Sequence, residues 1–454
     1  MACGCSLLDT AILDGSPRMR GLKFRCILAS NHWNNCIRRT SLAALAMIGR
    51  SFRCAVFFLG LLTSSIGPWP AASAEPLALV GGSVYPSPDA APLPNAVVVA
   101  SGGTISAVGR RGDVKVPKDA RIIDCSGKTV VAGFWNSHVH FTQPVWRGAA
   151  SAPAALLEGH MQEMLTRWGF TTVWDLGSDP RDSLALRRRV NAGEVLGPNI
   201  FLTGDIFPKG GHPVYLPPEM QLPEAATPEE AAQMARDDLR MGLDGMKLFT
   251  GAYMGDKPVV NMDTAIAKAA VDVAHAQGKP VFAHPQNRTG METVIAADVD
   301  VMAHVVPSEP SYTPEQLSRF EQHGTALIPT LAMFSTTIGG PALAARVVQN
   351  GLNQVRAFSD NGGVILFGTD VGFTSLYDTS REYELMRRAL SERQVLASLT
   401  TNPARYFKAA RKGLVEAGFD ADLVVLDGDP VADVGNLAKV AYTVRAGQII
   451  YQKP

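Results

Sequence analysis

Apolar residues along this chain recur in two different rhythms. Over residues 77–130 they come in short alternating runs, at 77–80, 95–100, 104–108 and 121–124, with Gly81-Gly82 and Ser101-Gly102-Gly103 closing the first two. A period of two with turn residues at the joints predicts a small antiparallel sheet. The same rhythm returns at 421–427, 440–444 and 448–451, broken by Gly428-Asp429-Pro430 and Arg445-Ala446-Gly447. β segments at the two ends of a chain commonly complete one domain. A small β-sandwich is therefore expected from residues 75–130 and 412–454.

Between them, over 131–411, β-branched runs alternate with amphipathic stretches. Candidate strands lie at 171–175, 199–203, 245–250, 280–284, 300–304, 326–330 and 364–370, and helical periodicity at 155–167, 228–241, 264–277 and 314–323. Residues 128–132 read as one more strand, leading into His138. Eight strands alternating with helices predict an α/β fold, a (β/α)8 TIM barrel. An open doubly wound sheet is the rival, but no Gly-rich dinucleotide turn follows any of the strands.

Composition narrows the class. With 454 residues, 46% hydrophobic and 19% charged, the chain can bury a large core. Lys+Arg and Asp+Glu both number 42, so no basic excess points to nucleic acid. The balance is uneven along the chain, because residues 1–74 hold eight basic and two acidic residues. Setting these aside leaves 34 against 40, a net charge of −6. Arg50 and Arg53 precede the apolar run Ala55-Val56-Phe57-Phe58-Leu59-Gly60-Leu61-Leu62, and Ala72-Ser73-Ala74 follows as a small-X-small cleavage site. The run is shorter than the roughly 20 residues a bilayer needs. Residues 1–74 are thus expected to be a removed signal peptide or leader, with Met47 as an alternative start. The mature protein is expected in the periplasm or secreted, with no stable membrane anchor. Five of the six cysteines fall in the leader, leaving Cys125, which cannot form an internal disulfide.

The candidate chemistry sits at the C-terminal ends of the predicted barrel strands, where barrel enzymes place their sites. In Gly133-Phe134-Trp135-Asn136-Ser137-His138-Val139-His140 the two histidines are two residues apart, so they share one side of a strand. Neutral imidazoles suit zinc and related borderline metals. A lone His-X-His is more often a surface or core pair. Later strand ends, however, add Lys247, His284, His304 and Asp370. A strand-end lysine is usually solvated and a strand-end aspartate is often a helix cap, yet six such residues on one face of a barrel point to a site. His160, His275 and His323 fall on outer helices, Tyr253 on a loop, and Phe134 and Trp135 read as wall or core.

These motifs resemble the amidohydrolase superfamily over nearly all of the sequence after the leader. The features are Phe-Trp-Asn-Ser-His138-Val-His140-Phe, Asp-Gly-Met-Lys247, His284, His304, Gly-Thr-Asp370 and the closing Ala-Asp-Leu-Val-Val-Leu-Asp-Gly-Asp-Pro. The resemblance implies an inner metal on His138, His140 and Asp370, and an outer metal on His284 and His304. Lys247, carboxylated by CO2, would bridge them. It implies two divalent cations, zinc first, with manganese, cobalt, nickel and iron also suited to the donors. Thr171-Thr172-Val173-Trp174-Asp175-Leu176-Gly177, Gly197-Pro198-Asn199 and Gly210-Gly211-His212 resemble its imidazolonepropionase-like and prolidase-like branch, in which His212 would contact substrate. The chain departs from that branch at Ala283-His284-Pro285-Gln286 and Ala303-His304-Val305.

The expected function is hydrolysis of a C–N bond in a small amide, lactam or dipeptide-type molecule by a metal-bridging hydroxide. Asp370 would move the proton and His212 would steady the oxyanion or a substrate carboxylate. A lactonase or phosphotriesterase would use the same centre, and an inactive scaffold is the alternative from another class. The expected partner is a small-molecule substrate, with self-association left open.

Overall fold

The computed structural model describes residues 75–337 and 340–454; the leader reading lies outside them. Among the described residues no helix is long and apolar enough to cross a membrane.

Two large sheets organise the chain. The terminal sheet has eight strands drawn from both ends. Leu77–Val84 pairs antiparallel with Leu93–Ser101 and parallel with Arg121–Asp124 and Thr129–Ala132. Thr129–Ala132 then carries the C-terminal strand Leu423–Leu426, followed by Val440–Arg445 and Gln448–Gln452. Its two ends also meet, through Ala421 N–H donating to Gly103 O and Gly447 N–H to Ala421 O, both at 2.9 Å. The sheet therefore folds over one core of its own, containing Leu79, Val98, Ile105, Val425 and Val444.

The second sheet is the barrel. Its strands are β1 (Phe134–Val139), β2 (Phe170–Asp175), β3 (Asn199–Pro208), β4 (Gly245–Leu248), β5 (Val281–Ala283), β6 (Val301–Ala303) and β7 (Ala326–Ile328). All neighbours are parallel. Residues 364–371 fill the eighth position. Leu327 bridges Ile365 on one side and Val139 bridges Val371 on the other, so the barrel closes and no edge is left open. Helices such as Pro228–Met241 and Thr264–His275 cover the outside and bury their apolar faces against it.

One expectation changes here. Residues 129–132 belong to the terminal sheet, and the histidine pair sits on a separate strand that begins at Phe134. The chain switches sheets at Gly133, whose Cα packs so tightly that a Cβ would lie 2.3 Å from Thr171 Oγ1. Only glycine fits there.

Below the site the barrel is plugged by aromatic rings. Trp174 packs 4.9 Å from Phe201, 5.0 Å from Phe282 and 5.0 Å from Phe407, while Trp135 stacks on Phe201 and Phe407. Filling the lower interior with rings leaves only the C-terminal end available to a substrate.

Candidate metal centre

Five of the expected ligands end on barrel strands or just past them, and Asp370 ends the eighth position. His138 Nε2 and His140 Nε2 face each other at 3.2 Å. Asp370 Oδ1 lies 2.9 Å from His140 Nε2 and 3.4 Å from His138 Nε2, and its Oδ2 lies 3.7 Å from His304 Nε2. The ring of His304 is 4.6 Å from that of His138 and 4.8 Å from that of His284. Lys247 Nζ lies over the ring of Phe249 at 5.5 Å. His138, Lys247, His304 and Asp370 are all buried.

Two of these residues reach the cluster by leaving regular strand geometry. Ala303 faces the inner core, so in a regular pleat the next side chain would point away. At φ 145° His304 departs from the pleat and its ring comes back over the barrel axis; Asp370 does the same at φ 59°. Such backbone costs ~1–3 kcal/mol per residue and persists only where surrounding contacts hold it. The contacts are visible. Asn136, fully buried, donates from Nδ2 to Thr369 Oγ1 at 2.8 Å and accepts from His138 N–H and Thr369 N–H, both at 3.2 Å. Asp370 N–H donates to His138 O at 2.9 Å. One asparagine thus staples β1 to the closing segment and sets His138 against Asp370.

Second partners orient the rings. His140 Nδ1 lies 2.7 Å from Gly177 O, and His304 Nδ1 lies 2.7 Å from Thr330 Oγ1. A proton on each Nδ1 leaves Nε2 bare toward the cluster, the arrangement of a metal-ligating histidine. His284 Nε2 lies 3.2 Å from Gln286 Oε1.

Charge fits the same use. Burial, followed by the nearby Lys247, holds His138 well below the usual histidine range. Burial and His284 do so for His304. Burial and Lys247 bring His284 down to about 4. These rings are neutral at pH 7. His140 differs: burial lowers it, but Asp370 and Asp175 outweigh burial and raise it. Burial also lowers Lys247, against the opposing charges of Asp370 and Asp205.

A cation answers what these residues lack. Bare ring nitrogens point at one another, and among the described residues buried Asp370 Oδ1 receives no well-formed hydrogen bond, although His140 Nε2 is 2.9 Å away, and buried His138 Nδ1 has no partner. The ligand atoms of His138, His140 and Asp370 all lie within 4.8 Å of one another. Three N/O donors with a fourth, His304, adjacent suit a borderline divalent ion.

His212 stands apart. Its ring nitrogens lie 3.2 Å from Pro213 O and 3.3 Å from Met220 O, inside the loop after β3, with no polar contact to the cluster among the described residues. The nearby Tyr215 instead packs edge-on against Phe373, three positions after Asp370. Its ring is partly exposed, while its hydroxyl lies where burial, then Asp370 and Asp205, raise the pKa. Sequence reading also missed Asp205, Asp175, Asn136 and Thr330. Asp205 is register partner to Lys247. Asp175 accepts from Ser178 Oγ at 2.6 Å and Ser183 Oγ at 2.7 Å. The alternation of β3 already placed Asp205 on the side of Phe201, a signal that could have been used.

Residues 129–450 match the amidohydrolase family. Among curated proteins, an uncharacterised protein of Mycobacterium tuberculosis is 28% identical over 232 residues, 48% of this chain and 59% of that protein. The chain therefore spans about three fifths of the length of that relative. The enamidase of Eubacterium barkeri is 22% identical, over 78% of this chain and 86% of that protein. Among solved structures, a Bifidobacterium longum protein provisionally assigned as a prolidase superposes with a TM-score of 0.71 at 27% identity, covering 84% of this chain and 97% of that one. A prolidase bound to N-methylphosphonate-L-proline gives 0.69 at 26% identity, covering 83% and 100%. With the family matched over well more than half its length, the chain belongs to the amidohydrolase family.

Proposed function

We propose that this protein is a metal-dependent hydrolase of C–N bonds, acting on a small amide, lactam or dipeptide-type substrate. The observation that carries the reading is the convergence of His138, His140, His304 and Asp370 at the C-terminal mouth of the barrel, with Lys247 and His284 beside them. His138, His140 and Asp370 would hold an inner cation, and His284 and His304 an outer one. Lys247, once its amine has added to CO2 and lost a proton, would offer an anionic carbamate to both. Its lowered pKa supports this, since only the neutral amine adds to CO2. When bound, such a pair supplies a hydroxide nucleophile at neutral pH and polarises the substrate carbonyl.

The chain's own groups do the rest. Asp370, within reach of both His138 and His140, is placed to take the nucleophile's proton and pass it to the departing nitrogen. His140 stays oriented by Gly177 O through that transfer. The buried surroundings keep bulk water from competing for the proton. The names of the related enamidase and prolidase proteins support C–N chemistry. The leader reading adds export to this proposal.

The test is a panel of dipeptides, N-acyl amino acids, lactams, lactones and organophosphates with metal-loaded, CO2-equilibrated protein. Cleavage of C–N substrates is expected. Turnover confined to lactones or phosphotriesters would overturn the C–N assignment, and a purified protein with no metal would overturn the metal-dependent one.

A further inference from the structure

Large apolar side chains stand exposed around the mouth of the barrel. Val214, Tyr215 and Met220 lie in the loop after β3, Tyr253 after β4, and Phe373 and Leu376 after Asp370. They form one rim, because the loops are tied together. Val214 N–H donates to Tyr253 O at 3.0 Å, and Tyr215 packs edge-on against Phe373 at 5.1 Å. Phe373 is held close to the centre by a tight turn. Thr374 N–H donates to Asp370 O at 3.2 Å, Gly372 N–H to Thr374 O at 2.9 Å, and Thr142 Oγ1 to Gly372 O at 2.9 Å. Phe373 lies three positions after Asp370, at most ~11 Å of chain away. Tyr215, packed on Phe373, is thereby tied to the segment that carries Asp370.

The wall below continues the same chemistry. Phe249 stacks on His284 at 5.2 Å with Phe207 stacked behind it at 3.9 Å, and Phe334 meets the His304 ring edge-on at 5.9 Å. Cations on the flanking loops are mostly engaged: Lys209 pairs with Glu224 at 3.1 Å and Arg288 with Glu309 at 2.5 Å. Lys257 is exposed in the loop after β4. Water over exposed rings at the mouth of a pocket with further aromatic side chains is readily displaced by an apolar group.

Resting on the hydrolase reading above, we propose that Tyr215 and Phe373 form a specificity clamp, selecting substrates with a bulky aromatic group beside the scissile bond. The clamp acts on binding and takes no part in bond making.

The experiment compares N-benzoyl-L-phenylalanine with N-acetylglycine, which carry the same carboxylate and differ in apolar bulk. It uses the full metal-loaded protein and the variants Tyr215→Ala, Tyr215→Phe, Phe373→Ala and Lys257→Ala, with metal content and thermal unfolding recorded for each. The wild type is expected to favour the aromatic compound in kcat/KM by ~10- to 200-fold, the range one apolar pocket supplies. Tyr215→Ala and Phe373→Ala should each cut that ratio at least tenfold, mainly through KM, whereas Tyr215→Phe should keep it. Calorimetric binding of both compounds gives the same ratio without turnover. Failure of the hydrolase reading alone would therefore appear as preserved binding preference with no cleavage. A wild-type ratio near one would overturn the clamp, as would a ratio moved by Lys257→Ala and not by the aromatic variants.

Discussion

Thr330→Val isolates one hydroxyl that supports the proposed outer metal site. Thr330 is fully buried, and its Oγ1 lies 2.7 Å from His304 Nδ1. Thr330 also adopts φ 46°, where a β-branched side chain is strained. Valine keeps both the branch and the strain, so the substitution removes little besides the bond. Leaving a buried N–H unpaired costs ~1–3 kcal/mol of stability. Loss of a partner behind a metal-ligating histidine typically lowers affinity ~10- to 100-fold, or ~1.4–2.7 kcal/mol. Chelator-competition titration with Zn2+ should show one of two equivalents weakened by that factor and the other near its wild-type value. Thr330→Ser retains the hydroxyl and should bind like wild type. Two unchanged equivalents in Thr330→Val would refute the role assigned to this bond. Equal weakening in serine and valine would shift the explanation from the hydrogen bond to the packing or backbone around Thr330.

Other perturbations reach different parts of the argument. Asp370→Asn keeps an oxygen donor but cannot hold the transferred proton, so kcat should fall at least ~100-fold with metal content largely retained; near-wild-type turnover would remove Asp370 from proton transfer. Gly177→Ala places a Cβ 2.4 Å from Asp205 Oδ2 at φ 125°, which should cost ~1–3 kcal/mol in urea unfolding and disturb His140 through the Gly177 carbonyl; an unchanged midpoint would contradict the packing. Glu382 is buried and accepts from Leu331 N–H and Ala332 N–H, and burial lifts its pKa from 4.5 to about 7. Because the folded value is the higher one, its stabilising contribution is complete below about pH 4.5 and is lost as pH rises through about 7. That amounts to ~3 kcal/mol. Glu382→Gln, neutral throughout, should flatten the stability profile between those pH values, and a profile as steep as wild type would rule Glu382 out as its source.

How much of the site was legible depends on where each residue sits. His138, His140, Lys247, His284, His304 and Asp370 could be read because each lies at or next to the end of a β-branched run, and runs of that kind are visible as local periodicity. The membership of 129–132 was not legible. Two apolar strands separated by a single glycine look like one, and only the pairing of Val131 with Val424 shows which sheet takes the first. His212 matched a motif, yet a motif cannot say which way a loop side chain turns. Its ring bonds to its own loop, while Tyr215 three residues on packs against Phe373.

The sequence by itself determined the strand–helix alternation, the shared sheet of the two termini and the identity of the six clustered residues, because hydrophobic period and residue type are local properties. Tertiary structure alone decided how the six converge. Asn136 joins segments 233 positions apart, and Thr330 meets His304 across two strand ends. His304 and Asp370 reach the cluster through positive-φ backbone that non-glycine residues seldom adopt. No local pattern encodes a strained φ, since the energy that holds it comes from contacts made only after the barrel closes.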